Sequence, residues 1–476
     1  MSRIIEVDYA EQYILPPSLE DWVRADHPAR FIRDFCSGLD LSKLKVEQPS
    51  QGDHGRPCYG PELLLRVWLY GYYEKVRSCR KLEAACRERV GFIWLCGNQA
   101  PDHNTLWRFW NKNRKALRAI FKKTVFVAME VGLVGLVLQA VDGTKIAASC
   151  SGRGVYDRES LQKLLAKLDE VIAELESNME QEPQTSGQDL GQDNNLSQME
   201  NATRMREKVL EALARVEAGE AKHLHPLEPE ARRMQSDGRN RFSYNAQAVV
   251  DHKERIIVAA EVVNDPADHV LLNGMIEQTE ENTGSRNATT LADGGYAGGR
   301  ELEKAKQAGR EIVAPVPPGC KNPEDKQYHA SKFTYKPQED VVVCPQGRKL
   351  PFQRERTRKN GDVIRVYRSA QVCKGCPAFG LCTRDRHGRS IDVAPWRELL
   401  IEHGQKMKEP MAKALYGMRG EIVEPVFGWI KQQMGFRRWT VQGLDKVNAQ
   451  WALLCAACNL KAIYRHWAAS PRLSSG

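Results

Sequence analysis

Apolar residues recur at helical spacing through the first quarter of the chain. The pattern is clear in "PELLLRVWLYGYYEKV" and in "CRKLEAACRERVGFIWL", where apolar positions return every three or four residues. In the segment that follows, the polar residues from Asp102 to Thr105 can cap a helix, and the pattern predicts one helix over 105–123. We therefore predict a helical unit over residues 1–123.

The period of the apolar positions changes after this helical unit. The run "TVFVAMEVGLVGLVLQAV" contains Glu130 and two glycines. A helix leading into a buried strand explains it better than a membrane span, which needs about 20 apolar residues with few charges. "LVLQAVDGTKIAAS" predicts a strand that carries Asp142, and "RFSYNAQAVVD" with "RIIVAAEVVND" predicts a hairpin. A helix at 268–281, a strand "TLAD" that ends at Asp293, a helix near 299–308 and a short strand "EIVAP" complete an α/β pattern.

Two blocks interrupt this α/β pattern. Residues 157–222 carry leucines near heptad spacing on either side of a polar stretch, which predicts an inserted helical hairpin with a flexible tip. Residues 317–400 are rich in Pro, Lys and Arg and contain short strands such as "VVVC", which predicts a second, β-rich insertion. The α/β core is then expected to span 124–316 and 401–465, followed by a tail over 466–476.

The composition is that of an ordinary folded chain with a basic surplus. Hydrophobic residues make up 42% and charged residues 28% of the chain, and the net charge of +9 suits a polyanionic partner. The start "MSRIIEVDYAEQ" lacks the uninterrupted apolar core of a secretory signal. We therefore expect a cytoplasmic protein, whose 13 cysteines are buried thiols or metal ligands rather than disulfides.

A basic segment lies at the end of the helical unit. Residues 105–123 contain seven basic residues and no acidic one. Arg108, Lys112 and Lys115 fall on one face of the predicted helix, while the apolar residues favour another face. Two interpretations stay open: a solvated basic face, or a helix that lies along the phosphates of nucleic acid.

Four cysteines in the second insertion follow the pattern of a metal site. Cys344, Cys373, Cys376 and Cys382 have the spacing C-x28-C-x2-C-x5-C. Four thiolates with a C-x2-C pair are typical of structural Zn²⁺, and metal binding can supply folding free energy to a block with few apolar residues. Ordinary cysteines in a reducing compartment are the alternative, and an iron–sulfur cluster matches the spacing less well.

Two acidic residues, Asp293 and Glu424, lie in sequence motifs that are compatible with either a local structural role or a catalytic one. Asp293 is followed by four glycines within six residues in "TLADGGYAGG", although Asp-Gly is also a common turn dipeptide. Near the C-terminus, Glu424 lies seven residues before Lys431, a spacing that puts both on one face of a continuous helix. Pro425 predicts that this helix starts or kinks there.

Taken in order, these motifs resemble the DDE transposases of bacterial insertion sequences, and more narrowly the group with a YREK signature. The resemblance rests on two strand aspartates and a Tyr–Arg–Glu–Lys set: Asp142, Asp293, Tyr416, Arg419, Glu424 and Lys431. It spans most of the chain through "YILPPSLEDWVRADHPARFI", "PDHNTLWRF", "VDGTKI", "FSYNAQAVVD", "LADGGYAGG" and "VEPVFGWIKQQMGFRR". Four residues rather than three separate Arg419 from Glu424, and Glu421 is a rival acid that lacks a lysine at the right spacing.

The resemblance implies a fold, a metal site and a partner. The catalytic core would be RNase H-like, with Asp142, Asp293 and Glu424 as ligands of two Mg²⁺ (or Mn²⁺) ions. Tyr416, Arg419 and Lys431 would support this triad and contact DNA, and the N-terminal helical unit would bind the terminal repeats of the element. Further DNA-binding residues would be Arg108, Lys112, Lys115, Arg437 and Arg438. Synapsis of two DNA ends suggests a homodimer.

The implied activity is metal-dependent DNA cleavage at the ends of the element, followed by strand transfer. Carboxylates are the ligands that Mg²⁺ and Mn²⁺ prefer, and two such ions can activate water and stabilise the departing oxygen of a phosphodiester. The freed 3′-hydroxyl would then attack target DNA. Two alternatives stay open: a catalytically silent transposase remnant that acts as a DNA-binding repressor, and an RNase H-like nuclease without strand transfer.

Overall fold

The chain folds into a mixed α/β structure with two β-sheets. The computed structural model describes residues 18–47, 58–151, 154–181, 189–286, 289–316, 327–358 and 361–469. Within these ranges no helix is both long enough and apolar enough to cross a membrane.

Among the residues that the structure describes, one short 3-10 helix, Leu19–Trp22, and six α-helices precede the first strand. The α-helices are α1 (Pro28–Ser37), α2 (Pro61–Tyr73), α3 (Cys79–Glu88), α4 (Val90–Leu95), α5 (His103–Lys112) and α6 (Arg114–Glu130). Proline starts both α1 and α2, at a position where the missing N–H leaves no helical hydrogen bond unmade. The side chain of Asp102 caps α5 by accepting from the backbone N–H groups of Asn104 and Thr105. Helices are therefore present in both of the N-terminal segments whose apolar residues recur at helical spacing.

The basic helix predicted over 105–123 is instead divided between α5 and α6, which meet at Asn113. Asn113 is buried, and its amide nitrogen donates to the carbonyl of Phe109 at 2.8 Å while its oxygen accepts from the backbone N–H of Glu47 at 2.7 Å. Asparagine competes with helical hydrogen bonds in this way. The prediction of one continuous helix was wrong, and Lys115 lies on a different helix from Arg108 and Lys112.

The larger sheet has six strands. They are β1 (Leu138–Ala147), β2 (Arg232–Ser236), β3 (Arg239–Asp251), β4 (Ile257–Val263), β5 (Thr289–Leu291) and β6 (Glu311–Val313). β3 is antiparallel to β1, β2 and β4, whereas β1, β5 and β6 are parallel neighbours, so β1 lies between β3 and β5. Helix α9 (Leu272–Thr283) connects β4 to β5, and α10 (Gly299–Gln307) connects β5 to β6. These elements confirm the predicted hairpin and the predicted order of strands and helices after it.

A helical hairpin and a second sheet lie outside the larger sheet. The hairpin consists of α7 (Arg158–Gln181) and α8 (Asp189–Glu217), as predicted, and packs through a small apolar core of its own. Its predicted flexible tip falls partly on 182–188, outside the described residues. The second sheet is antiparallel and consists of β7 (Thr334–Lys336), β8 (Val341–Val343), β9 (Lys349–Thr357), β10 (Val363–Tyr367) and β11 (Ile391–Val393), with α11 (Ala370–Lys374) before β11.

Three helices complete the fold: α12 (Arg397–Lys406), α13 (Pro410–Gly428) and α14 (Leu444–Ala469). Helix α13 begins at Pro410 and continues through Pro425, so the prediction that a helix starts at Pro425 was wrong. Proline has no N–H to bond the carbonyl four residues earlier; here the carbonyl of Glu421 accepts instead from Nε of Arg255 at 3.1 Å. A π-helical turn, Trp429–Gln433, follows α13.

Side-chain amides cover the outer edge of β4 and fix two helices against the sheet. An exposed sheet edge presents unpaired backbone N–H and C=O groups. Two asparagines of α14 each bind both backbone groups of one β4 residue, and two amides of α9 bind one group each. The pairs, with the helix residue first, are Asn459 with Ile257, Asn448 with Val262, Gln278 with Ala260 and Asn282 with Val258.

The apolar core of the N-terminal helices is continuous with the core around the larger sheet. Helix α14 packs against α2, α6 and β4, and α6 runs across residue 123. The domain boundaries derived from the sequence stay predictions.

Candidate active site

Strand pairing brings two aspartates together. β1 and β5 pair in parallel, with Gln139 opposite Thr290 and Ala140 opposite Leu291. Continuing this register by two residues puts Asp142 beside Asp293, on backbones about 4.8 Å apart. The charge of Asp293 also contributes to raising the pKa of Asp142. Two carboxylates thus lie side by side: Asp142 in the middle of β1, and Asp293 just after the carboxyl end of β5.

A tight turn sets the direction of the Asp293 side chain. Its Oδ1 accepts from the backbone N–H of Gly295 at 2.7 Å, and its carbonyl accepts from the N–H of Tyr296 at 3.2 Å. A Cβ on residue 295 would lie 2.9 Å from Oδ1 of Asp293, so glycine leaves the carboxylate its space. The aspartate is therefore a turn residue, and the same turn holds its carboxylate next to Asp142.

Arg419 on α13 is the ion-pair partner of Asp142. Its Nη1 lies 3.0 Å from Oδ2 of Asp142, and the two side chains are only 17% and 22% exposed. Burial raises the pKa of Asp142, and Arg419 opposes this effect. Burial alone would lower the pKa of Arg419, but Asp142 and Asp293 outweigh it and raise that pKa. The guanidinium thus balances part of the negative charge that the two aspartates concentrate.

Glu424 lies on the same helix but outside this pair. Its side chain is exposed, and its Oε1 would be 3.0 Å from a Cβ on Gly420, the residue that follows Arg419. Among the described residues, no three His, Cys, Asp or Glu side chains are grouped so as to hold a metal ion. Glu424 therefore does not complete a three-carboxylate group with Asp142 and Asp293 in this structure.

The other two residues of the YREK set, apart from Arg419 and Glu424, lie before Arg419 on α13 and in the turn that follows this helix. Tyr416, half-buried one helical turn before Arg419, contributes to the raised pKa of Arg419. Lys431 lies in the π-helical turn, with its Nζ 3.3 Å from a carboxylate oxygen of Asp237. Arg437 reaches the other oxygen of Asp237 at 3.8 Å. Asp237 belongs to the turn between β2 and β3, so this turn anchors the segment after α13.

Arg438 extends the sheet beyond the end of β5. It forms a parallel bridge with Ala147, the last residue of β1, and the backbone N–H of Trp439 donates to the carbonyl of Ala147 at 2.9 Å. The backbone of this basic segment therefore runs alongside the strand that carries Asp142.

Sequence reasoning missed a buried polar network beside the pair. Its centre is Asp268, which accepts from Nζ of Lys145 at 3.0 Å, from Nδ2 of Asn245 at 2.7 Å and from Nε2 of Gln247 at 2.9 Å. Gln247 in turn accepts from the hydroxyl of Tyr296 in the Asp293 turn. The available signal was the alternation of Asn245 and Gln247 within an otherwise apolar strand, since buried polar side chains need partners.

The four cysteines of the second insertion line one cavity. Cys344, Cys373, Cys376 and Cys382 surround it. Burial raises the pKa of Cys382, and the other three cysteines add to this effect. The four thiols are nevertheless not grouped as metal ligands in this structure, because no three His, Cys, Asp or Glu side chains among the described residues are arranged to hold a metal ion.

The basic residues of α5 and α6 divide into two sets. Arg108, Lys112 and Lys115 are exposed, and Lys112 pairs with Glu47 at 2.8 Å. Two others have an acidic partner at the surface, because Arg114 and Arg118 both form ion pairs with the exposed Asp445 at the start of α14.

Two family models match the chain. A model described as "Transposase DDE domain" matches residues 343–464, and one described as "Transposase domain (DUF772)" matches residues 17–112. The first match includes Glu424 and Lys431, while Asp142 and Asp293 lie between the two matched segments. No match was found among curated proteins.

Proposed function

The two family matches identify the chain as a DDE transposase of the insertion-sequence type, and on this premise we propose that it cuts DNA at the ends of its element and joins them to target DNA. The observation that carries the proposal is the register of β1 and β5, which puts Asp142 beside Asp293. A DNA-processing enzyme of this kind needs acidic side chains that converge from distant parts of the chain.

We further propose that the larger sheet is an RNase H-like core. The order β4–β3–β1–β5–β6 supports this, with β2 pairing to another part of β3, with β3 antiparallel to all three strands that it pairs with, and with β1, β5 and β6 parallel. In this proposal the α7–α8 hairpin and the second sheet are insertions into the core, and the N-terminal helices bind the terminal repeats.

The two aspartates fit a divalent cation by their chemistry. They are adjacent hard oxygen donors, and burial raises the pKa of Asp142 while the charge of Asp293 adds to the rise, so a bound cation would favour the ionised form of both. Asp142, Asp293 and Glu424 would hold Mg²⁺ or Mn²⁺. Such ions would supply activation of water and charge stabilisation at the departing oxygen of the phosphodiester.

The chain's own side chains then have distinct tasks. Arg419 holds Asp142 in one orientation and opposes the burial that raises the pKa of this carboxylate. The guanidinium of Arg419 can also donate hydrogen bonds to a phosphate at this site, because it binds carboxylate and phosphate with the same geometry. Lys431, Arg437 and Arg438 would contact the DNA backbone along the end of β1. Tyr416 packs beside Arg419 and limits its movement.

We propose separately that the cysteine cavity holds a structural Zn²⁺. The support is the donor set, four thiols around one cavity, together with the small apolar core of the second sheet, which contains six buried residues. A bound metal would add stability that this core supplies only in part. Dimer formation on paired DNA ends is also a proposal.

One observation favours a second candidate function, DNA binding without cleavage. Asp142 is already neutralised by Arg419, and Glu424 lies outside the pair. A silent repressor would need neither metal nor a third carboxylate.

The test is cleavage and joining of a duplex that carries the element's own end and flanking DNA, with Mg²⁺, with Mn²⁺ and with EDTA. Asp142→Asn and Asp293→Asn should abolish nicking at the boundary while retaining DNA binding. The matched control is Asp169→Asn, which removes an aspartate from an arginine ion pair on the α7–α8 hairpin. Binding by the wild type without any cut would favour the repressor, and cutting without joining would favour a nuclease.

A further inference from the structure

A buried glutamine reaches from one strand of the larger sheet to the turn that follows Asp293. Gln247 lies on β3 opposite Gly143 of β1, the residue directly after Asp142. Its side-chain oxygen accepts a hydrogen bond from the hydroxyl of Tyr296, which belongs to the turn after β5. Because β1 lies between β3 and β5, the glutamine side chain passes over β1 to make this bond. The bond therefore links the two segments that carry the aspartates, and both of its partners are fully buried.

Glycine at residue 143 leaves the room for this crossing. A Cβ added there would overlap Nε2 of Gln247. The backbone N–H of Gly143 also donates to Oδ1 of Asp142 at 2.8 Å. Successive residues of a strand face opposite sides of the sheet, so the amide supports β1 from the face opposite to the Asp142 side chain. Gln247 therefore acts on Asp142 through the backbone of β1 rather than by direct contact.

Tyr296 connects the glutamine to Asp293. Its backbone N–H donates to the carbonyl of Asp293 at 3.2 Å, in the same turn in which the N–H of Gly295 donates to the Asp293 carboxylate at 2.7 Å. Burial raises the pKa of the Tyr296 hydroxyl, and the charges of three nearby aspartates add to the rise, so the hydroxyl keeps the proton that it donates to Gln247. A movement of the tyrosine would shift the turn and, with it, the carboxylate of Asp293.

The ion pair of Lys145 and Asp268 determines which way the glutamine amide points. Nζ of Lys145 lies 3.0 Å from both carboxylate oxygens of Asp268. An ionised carboxylate only accepts hydrogen bonds, and Oδ1 of Asp268 accepts from Nε2 of Gln247 at 2.9 Å. The side-chain oxygen of Asn245 accepts from the same nitrogen at 2.7 Å. With its nitrogen bonded to these two oxygens, the amide must present its own oxygen to Tyr296.

The backbone of Gln247 is fixed by α14. Its carbonyl accepts from Nε1 of the buried Trp451 at 2.9 Å. A free glutamine side chain would not transmit a position, but this one is bonded at its carbonyl, its amide nitrogen and its amide oxygen. It can therefore hold two neighbouring segments at a constant distance.

We propose that Gln247 and Tyr296 are positioning residues that hold the carboxylates of Asp142 and Asp293 at the separation that the reaction needs. Neither side chain would touch DNA or the reacting atoms, because both are buried. The inference rests on the proposed function for the reaction, and it assigns roles to two residues outside the Tyr–Arg–Glu–Lys set. Partners that orient metal ligands in this way typically contribute about 10- to 100-fold to metal affinity or activity.

The test is Tyr296→Phe in the full chain, which removes one hydroxyl and keeps the ring. In cleavage of the element-end duplex with Mg²⁺, kcat should fall by about 10- to 100-fold while KM for the duplex changes by less than about twofold, because no group that contacts DNA is altered. Tyr244→Phe is the matched control, since Tyr244 is buried on β3 and its hydroxyl donates to Glu228 at 2.5 Å. A loss of kcat in Tyr244→Phe as large as that in Tyr296→Phe would overturn the proposal.

A double-mutant cycle tests the path between the two residues. The Tyr296 hydroxyl acts through Gln247, so adding Tyr296→Phe to Gln247→Leu should cause no further loss of kcat. Losses that multiply in the double variant would contradict this path. Unchanged kcat in Tyr296→Phe alone would contradict the positioning role itself.

Two further measurements need no cleavage. Mn²⁺ alone, followed by the loss of its free electron paramagnetic resonance signal, should bind at a site that Asp293→Asn removes, and Tyr296→Phe should weaken this binding about tenfold. In hydrogen exchange without metal or DNA, the peptide 290–298 should exchange faster in Tyr296→Phe than in the wild type or in Tyr244→Phe, because the amides of this turn are bonded to Asp293. Unchanged exchange in this peptide would overturn the proposal. A wild type that shows both effects of Tyr296→Phe but cuts no DNA would refute the proposed function alone.

Discussion

Replacing Arg419 with glutamine should destabilise the protein, and more so at pH 8 than at pH 5. The substitution leaves two adjacent carboxylates without their cation, because Arg419 is the ion-pair partner of Asp142 at 3.0 Å. Breaking a fully buried ion pair costs about 3–5 kcal/mol. The side chains here are 17% and 22% exposed, so solvent screens part of the charge and we expect about 1–3 kcal/mol.

The pH dependence follows from the pKa of Asp142. Burial already raises that pKa above its usual 3.8, and Arg419 opposes the rise; without Arg419 the pKa rises further. A carboxyl group with a raised pKa binds its proton more tightly in the folded state, so stability falls as the pH rises from the unfolded pKa through the folded one. The deficit of Arg419→Gln should therefore be small near pH 4 and larger at neutral pH.

The assay is urea unfolding followed by tryptophan fluorescence at a series of pH values. Arg206→Gln is the matched control, because Arg206 pairs with Asp169 on the exposed hairpin, where the side chains are 40% and 47% exposed. Such a pair contributes roughly 0–1 kcal/mol. The reasoning is refuted if Arg419→Gln behaves like Arg206→Gln, or if adding Asp142→Asn to Arg419→Gln leaves the pH dependence unchanged.

Three further substitutions test other parts of the structure. Asp268→Asn removes the carboxylate from the network around Lys145 and should lower the free energy of unfolding by about 1–3 kcal/mol in urea; an unchanged midpoint would contradict that network. Asn459→Ala leaves the N–H and C=O of Ile257 buried without partners and should cost about 2–4 kcal/mol, with faster hydrogen exchange at Ile257; retained protection there would argue against the edge contact. Cys376→Ser should remove the metal from a wild type that carries about one zinc per chain by mass spectrometry, and a zinc-free wild type would end the zinc proposal.

Local sequence patterns predicted many of the helices and strands. The alternation and capping signals predicted the strand of Asp142, a strand before Asp293 that in fact ends at Leu291, the hairpin between these strands, and the helices that follow, because such signals are set within a few residues of each other. Contacts with distant parts of the chain explain the errors. Asn113 divides a helix by bonding to distant backbone of Glu47, and Pro425 is accepted within α13 because Arg255 binds the carbonyl that it leaves free.

The neighbourhood of each candidate residue depended on contacts between distant segments. Asp142 meets Asp293 only through the pairing of β1 with β5, and Arg419 reaches Asp142 only because α13 packs over β1. Asp268 has no local signal, since its partners lie on two other strands. Spacing along the chain determines on which face of a helix or strand a side chain lies. Which residues contact it there depends on which other element packs against that face in the apolar core.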